Sequence, residues 1–116
     1  MRAIVSPAKS LNTALEHAHP ATSQPRFLAE ADQLVQQMRA YDPAGLAKLM
    51  HLSDPLAALN VARFEQWQAD HTDPSLLPAV FAFNGDVYQG LEVQSLSIDH
   101  VQAVNTRIRI LSGLYG

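Results

Sequence analysis

Apolar residues recur at helical spacing early in the chain. Phe27, Leu28, Ala31, Leu34, Val35 and Met38 alternate with Glu30, Asp32, Gln33, Gln36 and Gln37. That spacing predicts an amphipathic helix over residues 26–39. Asp42-Pro43 is a start signal, with a side-chain cap followed by proline at the first helical position. A short helix should run from there to about Met50. Ser53-Asp54-Pro55 repeats the signal, with either Ser53 or Asp54 as cap. The third helix carries Leu56, Leu59, Phe64 and Trp67 and ends near Gln68. Ser97 caps a later helix with Ile98, Val101, Val104 and Asn105 along one side, and Asp99 in its first turn suits the helix dipole.

Three shorter apolar runs read as strands. Residues 2–6 form a β-branched run stopped by Pro7, predicted as a first strand buried on both faces. Residues 79–83 are predicted as the second strand. Ile108, Ile110 and Leu111 make the third, interrupted by Arg109 and ended by Ser112-Gly113. Between the first strand and the first helix lies a polar stretch holding His17, His19, Pro20 and Pro25 with no period, expected as a long irregular loop. Asp73-Pro74 and Pro78 bracket a turn, with one helical turn around Leu76. Gly85 to Leu91 begins a short helix, with Asp86 near its start. The order strand, helices, strand, helix, strand predicts an α/β fold. The expectation is a small three-stranded, mostly parallel sheet with helices, the N-terminal portion of a larger fold. The larger fold is expected because the chain reaches Gly116 while still apolar.

Composition narrows the function. The chain has 116 residues, is 47% hydrophobic, carries a net charge of −3 and contains no cysteine. That length suits at most one domain. The charge argues against coating nucleic acid in bulk, so such a contact needs a local basic patch. The missing cysteines exclude disulfides, a thiolate nucleophile and cysteine-ligated metal. Of the five histidines, His17, His19, His51, His71 and His100, His17 and His19 lie two apart in a loop, and neither has an Asp or Glu at a metal-motif spacing such as His-Glu-x-x-His. No metal is expected, and with no cofactor fingerprint no cofactor is expected either. No apolar window of about 18 residues would span a membrane. A cytoplasmic protein is the default expectation.

The chemistry-bearing stretch is Ala82-Phe83-Asn84-Gly85-Asp86-Val87-Tyr88-Gln89-Gly90-Leu91. It places an acid and a phenol between two glycines just past a strand. Lys9 follows the first strand in Ser6-Pro7-Ala8-Lys9-Ser10, and Ser112 follows the third. Loops at strand exits of open α/β sheets are the usual ligand crevice, so Lys9, Asp86 and Ser112 could converge on one pocket. The plain alternatives are a solvated Lys9 and an Asp86 that only caps a helix. Leu56, Asn60, Arg63 and Trp67 share one helical face. Asn60 and Arg63 on it suggest a clamp for a carboxylate or phosphate. The alternative is a boundary arginine paired with a structural acid. No phosphate-cradling glycine loop or nucleophile elbow occurs.

Four segments, in order and at matching spacing, resemble the YaaA family of bacterial peroxide-stress proteins. They are Ser6-Pro7-Ala8-Lys9-Ser10-Leu11, then Leu52-Ser53-Asp54 with Leu59-Asn60-Val61-Ala62-Arg63-Phe64, then the stretch from Ala82 to Leu91, and finally Arg109-Ile110-Leu111-Ser112-Gly113-Leu114-Tyr115-Gly116. The resemblance implies a cytoplasmic protein of the hydrogen-peroxide response that lowers free intracellular iron, protects DNA and binds it. It assigns no reaction. Lys9, Asn60, Arg63, Asp86, Tyr88 and Ser112 are carried over as candidate ligand- or DNA-binding residues. An enzyme acting on a small anionic or nucleotide-like substrate is the alternative. Family members are roughly twice as long, and apolar surface left uncovered would favour dimers.

Overall fold

The computed structural model describes every residue except Thr13, Ala14, Glu16, His17, Ala21 and Thr22. Any role for His17 lies outside the described residues. The elements in chain order are β1 (Ala3–Val5), β2 (Ser10–Leu11), α1 (Leu28–Met38), α2 (Pro43–Met50), α3 (Asp54–Gln66), α4 (Ala79–Ala82), β3 (Phe83–Asn84), α5 (Asp86–Leu91), a 3-10 turn (Val93–Ser95), α6 (Ile98–Arg107) and β4 (Ile108–Ile110). The chain folds as two compact units. One comprises Met1–Gln24, Thr72–Leu114 and Gly116, and the other Pro25–His71 and Tyr115. No helix among the described residues is long and apolar enough to cross a membrane.

The first unit holds all the strands. β1 runs parallel to β4 with Ala3 opposite Ile108, Ile4 opposite Arg109 and Val5 opposite Ile110. The ladder extends one step further, where the Leu111 amide donates to the Val5 carbonyl at 3.0 Å. β2 runs antiparallel to β3, with Ser10 opposite Asn84 and Leu11 opposite Phe83. The Asn12 side chain and backbone fasten the next step, donating to the carbonyls of Phe81 at 3.0 Å and Ala82 at 2.7 Å. Phe81, Val93 and Val101 form the buried core, with Leu15, Ala18, Val80, Leu91 and Leu96 packed around it. α6 starts at Ser97, whose hydroxyl accepts from the His100 amide, and delivers the chain into β4.

This α/β architecture differs from the expected one in its sheet. The described residues form two two-stranded sheets, not one three-stranded sheet. The expected second strand is instead a helical turn, α4, entered from Pro78, with only Phe83–Asn84 extended. An apolar run of five residues carries no period that separates buried strand from buried helix. The loop after Pro7 is not wholly irregular, because β2 lies in it. β1 is not buried on both faces either, since Ile4 is 68% exposed.

The second unit is helical, and α3 packs against both α1 and α2. Ala31, Val35, Leu46 and Ala57 are fully buried. The expected helices stand within a residue or two of their predicted ends. Asp42 caps α2, its carboxylate accepting from the Gly45 amide at 2.7 Å. Ser53 takes the cap position of α3 without a side-chain bond. α2 ends at His51 in the left-handed region, with φ 54°. Arg39, just past α1, reaches the C-terminal carbonyls of α3. It donates to Phe64 at 2.8 Å, Glu65 at 3.4 Å and Trp67 at 2.6 Å. A guanidinium there meets both the unsatisfied carbonyls and the negative end of the helix dipole. Trp67 Nε1 donates to the Tyr115 hydroxyl at 2.8 Å, and His71 Nε2 shares a hydrogen bond with the same hydroxyl at 2.9 Å.

Candidate functional site at the strand exits

Parallel pairing sends β1 and β4 out at the same end, so Ser6 and Ser112 follow neighbouring strands there. The segment after β1 is then fastened along the segment after β3. The Tyr88 hydroxyl donates to the Ser6 carbonyl at 2.6 Å. Ala8 lies against Gly85 so closely that a Cβ on Gly85 would stand 3.1 Å from the Ala8 Cβ. Ser10 pairs with Asn84. The glycine is needed here for close approach, since Gly85 has an ordinary extended backbone.

Lys9 and Asp86 stand between these fastenings, both exposed. Asp86 is the first residue of α5, and Gly85 holds the cap position, so Asp86 is not the side-chain cap that sequence allowed. Its charge still sits in the first turn, where the dipole favours it. Tyr88 is buried, its ring tilted against Phe83 at 5.3 Å between centroids. Burial pushes the Tyr88 phenol above its ordinary value of 10.0. Its hydroxyl therefore stays protonated and donating near neutrality. The Ser112 hydroxyl accepts from the Leu114 amide at 3.2 Å, holding the turn after β4. Lys9, Asp86, Tyr88 and Ser112 thus all lie on segments that meet at one end of the first unit.

A groove of about 480 Å³ lies beside α5 and β3. Asn12, Asn84, Gln89 and Glu92 line it with Phe83 and Tyr88. Gln89 donates to the Asn84 side-chain oxygen at 3.1 Å. Sequence reasoning missed Asn12 and Glu92, which lie in none of the motif segments, while Gln89 stands inside the stretch from Ala82 to Leu91 without having been singled out. Only the double fastening of Asn12 to α4 shows that it belongs with this segment.

Asn60 and Arg63 lie on α3 of the second unit. The Asn60 amide donates back to the Leu56 carbonyl at 2.8 Å, a bond within the helix, which occupies one of its donors. Arg63 is exposed. Arg109, which interrupts the apolar run of β4, is folded onto the carbonyls of Asn105 at 2.7 Å and Ile108 at 2.8 Å. Among the described residues no group of three or more His, Asp or Glu side chains could hold a metal ion. His19 reaches the Leu96 carbonyl at 3.3 Å, and His100 the Ser97 hydroxyl at 3.2 Å.

The family model described as peroxide stress protein YaaA matches residues 1–116. A UPF0246 protein of Aromatoleum aromaticum is 50% identical over 113 residues, covering 97% of this chain and 43% of the relative. UPF0246 proteins of Idiomarina loihiensis and Tolumonas auensis are 46% and 47% identical over 116 residues, covering all of this chain and 45% of each relative. The chain therefore spans less than half the length of these curated relatives.

Proposed function

Because the chain belongs to the peroxide stress protein YaaA family, we propose that the protein acts in the cytoplasm during the peroxide response, lowering free intracellular iron and protecting DNA through DNA binding. The family match over the whole chain is the observation that carries this reading. Two exposed cations at candidate positions, Lys9 and Arg63, support it. With a net charge of −3, binding has to be local and salt-sensitive. The test uses a chimera in which the unmatched part of the Aromatoleum aromaticum relative follows Gly116. It should retain duplex or single-stranded DNA less as salt rises. Lys9→Gln and Arg63→Gln should each lower the log–log salt slope by about 1 if each side chain meets a phosphate. No salt-dependent retention would refute the reading.

The meeting of the segments after β1, β3 and β4 favours a second reading, an enzyme acting on a small anionic or nucleotide-like substrate. Ligands of open α/β sheets bind at strand exits. Lys9 would pair with the anion, with Ser112 as a neighbouring hydroxyl. Calorimetric titration of the same chimera with nucleoside phosphates separates the readings. Heat that vanishes in Lys9→Gln, with no DNA retention in the parent, would favour the enzyme.

A further inference from the structure

The β1–β4 ribbon is built like the middle of a sheet but is open. Ile4 and Arg109 are register partners and so share one face. Leu111, two residues beyond Arg109, continues that face. Ile4 is 68% and Leu111 54% exposed. On the other face Val5, Ile108 and Ile110 are half-buried. Among the described residues, β1 and β4 pair only with each other, leaving an unpaired edge on each side. Parallel sheets are normally covered on both faces, and a two-stranded ribbon is marginal alone. Free edges and exposed apolar residues of this kind mark a surface that something else covers. The relatives supply a candidate occupant. More than half of each relative's length lies outside the matched part, since the match covers 43% of one and 45% of two others.

We propose that the face carrying Ile4, Arg109 and Leu111, with the free ribbon edge, is the docking surface for the segment that the relatives carry outside the matched part. That segment seats a further strand or helix on the ribbon. Since Ser6 and Ser112 continue directly from these strands, the docked segment also lies beside the strand-exit junction. The proposal does not depend on DNA binding or on any reaction.

The absence of cysteine makes the test direct, because Ile4→Cys introduces the chain's single thiol. Maleimide labelling of that thiol is timed in the 116-residue chain and in the chimera, with cysteines of the appended part replaced by serine. The expected result is labelling about ten-fold or more slower in the chimera, independent of protein concentration. Amide hydrogen exchange at Ile4 and Val5 in the unsubstituted chain and chimera gives the same comparison without a substitution, and should slow alike. Equal labelling and equal exchange in both proteins would overturn the proposal. Protection of the 116-residue chain that grows with its own concentration would also overturn it, assigning the face to a second copy.

Discussion

Replacing Tyr88 by phenylalanine removes one hydroxyl and keeps the ring. The ring's burial and its contact with Phe83 survive, so nearly all of the apolar contribution is retained. The loss is one 2.6 Å hydrogen bond to the Ser6 carbonyl. A neutral hydrogen bond contributes about 1 kcal/mol net, and a stranded buried acceptor costs more. Ser6 is exposed, so water can replace the phenol and the smaller figure applies. Tyr88→Phe should therefore lower stability by about 1 kcal/mol. Tyr88→Ala, which also leaves a cavity, should cost about 3–5 kcal/mol. Urea unfolding followed by circular dichroism reads both. With a slope of about 1–3 kcal/mol per molar, the phenylalanine variant's midpoint falls by roughly 0.3–1 M at unchanged slope. Alkaline pH gives an independent arm. The folded phenol is raised above 10.0, so the unfolded state loses its proton first. The Tyr88 contribution is complete below about pH 10 and is lost as pH rises through the raised folded value. The gap between parent and Tyr88→Phe should accordingly narrow above pH 10. Two results would refute the reasoning: a phenylalanine variant as stable as the parent, or one as damaged as Tyr88→Ala.

Arg39→Met removes three donations to the C-terminal carbonyls of α3 and should destabilise the protein by about 1–2 kcal/mol by thermal or urea unfolding. Arg39→Lys should recover only part of this, since an ammonium cannot span carbonyls as a planar fork does. His51→Gly relieves a left-handed backbone at the end of α2 and should raise stability by about 0.5 kcal/mol, the relief being partly offset by a freer unfolded chain. Asp42→Ala removes the α2 cap and should cost about 1 kcal/mol in the same assay.

What could be read from sequence follows from how local each signal is. α1, α2, α3 and α6 were legible because a helix is specified by its own spacing and caps. Asp42-Pro43, Ser53-Asp54-Pro55 and Ser97 each mark a start within one turn. The sheets were not, because pairing joins distant residues. Ser10 and Leu11 have no strand pattern of their own and are extended because Asn84 and Phe83 stand opposite. Residues 79–83 form too short a run to carry a period, so sequence does not separate the helical turn at 79–82 from the extended Phe83. At the site, the position of Lys9 and Ser112 after β1 and β4 was legible from the order of elements. The engagement of Tyr88 with Ser6 and the seating of Ala8 on Gly85 were not, since neither depends on a local motif. Asn60 shares the Arg63 face that its spacing indicated, while its bond to the Leu56 carbonyl one turn back was not legible from the motif.

The pairing of Ala3 with Ile108 also bears on the order in which the protein is made. β1 leaves the ribosome roughly a hundred residues before its partner β4. The helices α1, α2 and α3 are synthesised entirely in between, and α3 packs against the other two. Local contacts form fast, while closing a long loop must wait for both ends and carries an entropic cost. The helices should therefore be in place while β1 is still an unpaired apolar strand. During that interval Ile4 and Val5 are the segment most open to wrong pairing or to chaperone capture. A slow codon run just before β4 would lengthen that exposure without altering a single residue of the finished protein.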